Sequence, residues 1–208
     1  MAAALYLGSM AFPWPVAVVL AIVVRLLVTG ALHEDGLADF FDGFGGGADR
    51  DRILAIMKDS HIGTFGVIGL ILYILLLGAT LCCMPPRIAA IAVLAADPFA
   101  KLVSCSLVTM LPYARSEEEA KNKTVYRKIS VPAAIGLALQ GLLPMLLMLW
   151  LTSIEWYFVM VVPYMVMYFL YLLIRRKLGG YTGDCCGAVC LLVELSIYLV
   201  ISSLLFVK

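Results

Sequence analysis

The chain has 208 residues, of which 63% are hydrophobic and 14% charged, and its mean hydropathy of +1.03 excludes an ordinary water-soluble core and asks for a bilayer as solvent. Its 15 Lys and Arg against 14 Asp and Glu leave a net charge of +1, which excludes a nucleic-acid or other polyanion partner bound through bulk charge. The six cysteines contain no Cys-x-x-Cys spacing, so packing thiols are expected and a zinc site is not.

Apolar runs long enough to cross about 30 Å of hydrocarbon cover residues 15–32, 63–82, 88–111, 129–151, 156–174 and 187–206. They predict an all-α, polytopic transmembrane bundle of about six spans in one domain, 1–208. The first run is expected to be an anchor and not a cleaved leader, because the hydrophobic pattern persists along the chain. Pro144 and Pro163 fall inside predicted spans, where neighbouring helices tolerate them. Arg50, Arg52 and Lys58, then Arg115, Lys121, Lys123, Arg127 and Lys128, then Arg175, Arg176 and Lys177 lie in alternate loops, while the two intervening loops hold only Arg87. The positive-inside rule therefore expects these three loops on the cytoplasmic face, with both termini outside.

Polar chemistry begins at the end of the first run, in His33-Glu34-Asp35-Gly36-Leu37-Ala38-Asp39-Phe40-Phe41-Asp42-Gly43. Asp35, Asp39 and Asp42 follow i, i+4, i+7 spacing, which puts three carboxylates on one face of a helix. Like charges so placed call for a cation, and oxygen ligands favour Mg²⁺ or Mn²⁺. A solvated polar face is the plain alternative. The run Gly43-Phe44-Gly45-Gly46-Gly47 that follows reads as a flexible turn or as backbone able to approach a phosphate.

Next, Asp49-Arg50-Asp51-Arg52 reads as surface charge pairing, and Ile53 to Asp59 as a short interfacial helix. Lys58 is placed to neutralise a phosphate and Asp59 to act as metal ligand or base, with His61 an interfacial residue. Asp97 and Lys101, four apart, are expected to neutralise one another inside a span. Arg25 and Glu194 are lone charges in spans, free to pair with each other, and Glu194 is the stronger functional candidate. The last polar cluster, Gly179-Gly180-Tyr181-Thr182-Gly183-Asp184, opens the final helix. There Gly180, Thr182 and Gly183 could hold an anion and Asp184 a metal, or Thr182 or Asp184 could serve as N-cap.

Taken together, Glu34-Asp35-Gly36-Leu37-Ala38-Asp39-x-x-Asp42-Gly43, Asp51-Arg52-x-x-x-Ile56-Met57-Lys58-Asp59-Ser60-x-x-Gly63-x-x-Gly66 and Gly179-Gly180-x-Thr182-Gly183-Asp184-x-x-Gly187-Ala188 resemble cobalamin synthase, the adenosylcobinamide-GDP ribazoletransferase family. Leu111-Pro112-Tyr113-Ala114-Arg115 and Glu194 extend the resemblance. It implies a Mg²⁺-dependent, multi-pass enzyme of the cytoplasmic (inner) membrane with its active site on the cytoplasmic face. That enzyme joins adenosylcobinamide-GDP to α-ribazole or its 5′-phosphate and releases GMP.

The implied roles are Asp35, Asp39, Asp42 and Asp184 as catalytic metal ligands, with Asp59 as ligand or base. Arg52, Lys58 and Arg115 would offset phosphate charge, beside substrate contacts from Gly180, Thr182, Gly183 and Glu194. The family carries a further membrane segment ahead of the first span, which this chain, opening Met1-Ala2-Ala3-Ala4, is expected to lack. His61 stands where the family has arginine, and Ser116 to Lys123 replace a glycine-richer loop and are given no catalytic role. The oligomeric state is left open, a homo-oligomer included. Two alternatives share part of the pattern. A CDP-alcohol phosphatidyltransferase shares Asp39-x-x-Asp42-Gly43 but not the rest of its motif, and a cation transporter would use Asp97, Lys101, Glu194 and Arg25 near the midplane.

Overall fold

The computed structural model describes residues 1–115, 129–152 and 154–207. Among them the chain is helical, with α1 Ala2–Ala11, α2 Trp14–Thr29, α3 Leu32–Gly46, α4 Arg50–Lys58, α5 Thr64–Cys82, α6 Pro86–Met110, α7 Val131–Thr152, α8 Trp156–Leu178 and α9 Gly183–Val207. The basic residues expected between 116 and 128, and the Ser116 to Lys123 run, lie outside the described residues.

Five helices, α5 to α9, are long and apolar enough to cross a bilayer, and α2 with α3 makes a sixth if the bent pair is one span. The chain is a multi-pass membrane protein, and its outward faces show why. Leu75, Leu147, Trp150, Phe169 and Tyr168 are exposed on these helices, a surface that is stable in lipid and not in water. The α6, α7 and α8 helices run through Pro98, Pro144 and Pro163 respectively.

The centre of the bundle is α9. It lies against α3, α5, α6 and α8, and its residues from Cys185 to Tyr198 are almost all buried. All six cysteines are free thiols, with Cys185 and Cys190 packed in this core. The short helix α1, which hydropathy did not single out, packs on α2 and α6.

Two expectations change. The apolar run 15–32 is not one straight span, because Gly30 (φ 63°) and Ala31 (φ 53°) both adopt left-handed backbone. The amide N–H groups of both residues donate to Leu26 O, closing α2. Ala31 pays roughly 1–2 kcal/mol for that conformation, and in return α3 leaves at 91° to α2.

The second change concerns residues 43–47, read as a turn or phosphate cradle. Gly43 to Gly46 instead form the last turn of α3. Their lack of side chains is used for packing: a Cβ at Gly43 would meet Met57 Cγ at 2.6 Å, and one at Gly45 would meet Phe65 Cγ at 2.6 Å. Glycine lets α4 and the start of α5 close onto α3. The interfacial helix α4 begins where expected to within a few residues, with Asp49 Oδ1 accepting from Arg52 N–H at 2.9 Å as its N-cap.

Candidate active site

Helix α3, which carries the acidic stripe, meets the start of α9 through glycine. A Cβ on Gly36 would lie 3.1 Å from Asp184 Cα, and one on Gly187 would lie 3.3 Å from His33 O. Backbones this close set α3 at Gly36 directly against the first turn of α9 at Asp184. Asp35 is exposed, and Asp39 and Asp184 are half-buried, so this face is open to solutes.

Asp42, the third acid of the stripe, does other work. Gly63 N–H donates to its Oδ2 at 2.7 Å and Gly66 N–H to its Oδ1 at 2.8 Å. The buried carboxylate thus satisfies two orphan donors at the N-terminus of α5 and complements its dipole. A side chain at Gly63 would meet Asp42 Oδ1 at 2.5 Å, which explains the small residue there. The i+7 spacing suggested a ligand, whereas tertiary packing assigns Asp42 to α5.

The start of α9 is held by Thr182. Its Oγ1 accepts from Cys185 N–H at 3.2 Å, making the buried Thr182 the N-cap and occupying the hydroxyl expected to touch substrate. Gly180 is fixed by packing as well: a Cβ there would lie 2.7 Å from Pro112 O and 2.9 Å from Ala114 Cα. Gly183 differs, being exposed with no atom within 4 Å of a Cβ position. It leaves the N-terminal end of α9 accessible to an anion.

The middle loop is stitched to this segment. Tyr181 N–H donates to Pro112 O at 2.9 Å, Ala114 N–H donates to Tyr181 O at 2.8 Å, and the rings of Tyr113 and Tyr181 meet edge to face at 5.5 Å. Arg115, expected on phosphate, donates from Nη2 to Leu54 O at 3.1 Å. Arg52 and Lys58 are exposed on α4.

Asp59 ends α4 in full solvent contact. His61 Nδ1 stands 2.7 Å from Asp59 Oδ1, and the His61 N–H donates to the same oxygen at 3.0 Å. The side-chain bond first and the backbone bond second hold the Asp59 carboxyl below its ordinary value of 3.8. The contribution of this turn to stability is present above the ordinary carboxylate pKa and is lost as pH falls through the depressed folded value. In His61→Ala the Asp59 titration is expected to move upward toward 3.8, as read by carboxyl ¹³C NMR; an unmoved titration refutes the assignment.

Glu194 lies away from the acidic face and fully buried. Arg25 Nη1 donates to Glu194 Oε1 at 2.9 Å and Nη2 to Oε2 at 2.7 Å, and Tyr198 Oη donates to Oε1 at 2.6 Å. Arg25 Nε also lies 3.4 Å from Glu34 Oε1. Lys101 Nζ donates to Asp97 Oδ2 at 2.7 Å, the pairing expected from their spacing. Arg25, Glu194, Asp97 and Lys101 border one cavity of about 510 Å³ with Thr29 and His33, so the intramembrane charges are gathered in pairs.

Sequence reasoning missed the use of Arg50, whose half-exposed guanidinium reaches Leu178 O at 3.0 Å and Ala114 O at 2.5 Å. Backbone acceptors leave no trace in side-chain spacing.

The chain matches the family model described as cobalamin-5-phosphate synthase over residues 1–202. It is 37% identical over 192 residues to the adenosylcobinamide-GDP ribazoletransferase of Shewanella sp. (strain W3-18-1), covering 91% of this chain and 72% of that protein. It is 35% identical over 199 residues to the protein of the same name from Shewanella frigidimarina (strain NCIMB 400), covering 94% and 75%. No solved structure matches. With the family model matching residues 1–202 and curated relatives matching over nine-tenths of its length, the chain belongs to the cobalamin-5-phosphate synthase family.

Proposed function

We propose that this chain is an adenosylcobinamide-GDP ribazoletransferase, acting at the face where α3 meets α9. The observation that supports the reading is the close approach of Gly36 to the Asp184 backbone, which joins α3 to the accessible start of α9. In the reaction a hydroxyl of α-ribazole, or of its 5′-phosphate, attacks the phosphorus attached to the cobinamide. The new P–O bond forms as the pyrophosphate bond breaks, GMP leaves, and the hydroxyl proton passes to a carboxylate or water.

The residues suit the parts of this reaction. The backbone at Gly183 and the dipole of α9 favour a phosphate oxygen. Exposed Arg52 and Lys58 on α4 offset charge on the guanosine diphosphate portion. Asp35, Asp39 and Asp184 offer hard oxygen donors, of which one or two would hold Mg²⁺, with Mn²⁺ as substitute.

Among the described residues no three His, Cys, Asp or Glu side chains converge as a closed metal cage. Mg²⁺ commonly takes one or two carboxylates and completes its shell with water and substrate phosphate. When bound, Mg²⁺ would offset charge that develops on the phosphoryl and leaving oxygens. The basic residues of α4 and of the end of α8 support an orientation with this face toward the cytoplasm.

Purified protein in liposomes with Mg²⁺ is expected to convert adenosylcobinamide-GDP and α-ribazole to the cobalamin product with one GMP released per turnover. No product, or CMP release from a CDP-alcohol, would remove this reading.

A further inference from the structure

We propose that Arg50 is a positioning residue for the reacting centre: its guanidinium fastens the loop that carries Thr182 and Asp184 to the helix that follows α3. This rests on the reading of the α3–α9 contact as the site of the reaction. Arg50 looks in sequence like one member of a wet charge run, and only its Nη1 behaves so, at 3.3 Å from exposed Asp51 Oδ1. Its other nitrogens serve two distant segments. Nε donates to Leu178 O, the last residue of α8, at 3.0 Å, and Nη2 donates to Ala114 O in the middle loop at 2.5 Å. One planar group with divergent donors spans both carbonyls, a task for which a single ammonium is poorly shaped.

These bonds close a triangle. The middle loop is tied to the segment after α8 by the paired backbone bonds of Ala114 and Tyr181, and to α4 by Arg115 Nη2 on Leu54 O at 3.1 Å. Gly180 sits so close to Pro112 O that no side chain fits between them. Helix α4 is itself seated on α3, where Ile53 and Met57 are buried and contact the Gly43 position. Arg50 therefore references the chain just before Thr182 to α3. Thr182 then caps α9, and Asp184 follows two residues later. Loss of Arg50 frees the loop on one side, and the shift is passed to the position of Asp184 relative to Asp35 and Asp39.

The test uses the full chain in liposomes, with adenosylcobinamide-GDP and α-ribazole as substrates. Arg50→Gln is expected to lower kcat about 10²-fold, the scale of a displacement near 1 Å in a reacting geometry, while KM for both substrates changes less than about twofold. Arg50→Lys restores part of kcat, since an ammonium holds one of the two carbonyls. Asp51→Asn, which leaves both carbonyl bonds intact, is expected to behave as wild type. In parallel, hydrogen exchange of peptides covering residues 112–115 and 179–182 quickens in Arg50→Gln while α3 and α5 peptides are unchanged.

Unchanged kcat, or a raised KM at constant kcat, would overturn the proposal, the latter by making Arg50 a direct substrate contact. Unchanged exchange in both segments would also overturn it. If Arg50→Gln exchanges faster throughout, the fold has been lost and Arg50→Lys carries the comparison. If wild-type protein does not turn over this substrate pair, the functional reading fails, and the exchange arm still decides whether Arg50 holds the loop.

Discussion

Asp39→Asn is expected to reduce ribazoletransferase turnover by about 10³-fold or more, equivalent to roughly 4 kcal/mol of transition-state stabilisation, while leaving the protein as heat-stable as the wild type. The substitution keeps shape and removes one charge from a half-buried position on α3, one turn beyond the Gly36 contact with α9. Asp42→Asn, on the same helix, should differ in kind. Both oxygens of Asp42 accept backbone N–H groups, so an amide there must turn a donor toward one of them. Hydrogen bonds to a charged group are worth about 1.5–3 kcal/mol each. Asp42→Asn is therefore expected to lower the midpoint of thermal unfolding in detergent, and to lose activity along with folded protein. Equal stability of the two variants, or full activity of Asp39→Asn, would contradict this division.

Arg25→Met is expected to cost about 3–5 kcal/mol, the penalty for leaving a buried carboxylate without its partner, and so to abolish accumulation of folded protein. Glu194 is fully buried and receives both guanidinium terminal nitrogens and Tyr198 Oη. The Arg25→Met, Glu194→Met double variant removes both charges and is expected to recover most of the loss, because a pair replaced by apolar groups of similar volume is often close to neutral. Yield and unfolding midpoint in detergent measure both. A double variant as unstable as Arg25→Met would show that Glu34, 3.4 Å from the same guanidinium, is the carboxylate that depends on it.

The two charges meet across 169 positions of sequence, and this is the kind of relation that composition and spacing do not carry. Hydropathy located the spans because an 18-residue apolar window is a local property, and α5 to α9 lie within a few residues of expectation. The acidic stripe was legible from i, i+4, i+7 spacing, and all three carboxylates do lie on one helix, α3. The same spacing gave no sign of the bonds that Asp42 makes to backbone N–H groups 21 and 24 residues away, at the start of α5.

The glycine run at 43–47 misled for a related reason. Glycine has low helix propensity, and only the close seating of Met57 and Phe65 explains why helix persists there. Thr182 was legible as a possible cap because capping is local. The work of Arg50 was not, since its acceptors are carbonyls and any residue supplies one.

The pairing of Arg25 with Glu194 has a consequence for biosynthesis. At about 5–20 residues per second, ribosomes need roughly 10–30 s to make the 169 residues that separate them, and Arg25 enters the membrane long before its partner exists. A lone arginine in hydrocarbon is costly and draws its helix toward an interface. Glu34 emerges nine residues after Arg25, across the sharp turn at Gly30 and Ala31, and lies beside the same guanidinium in the finished fold. It can hold the bent pair of α2 and α3 in place through most of translation, until α9 inserts and Glu194 takes the bidentate contact.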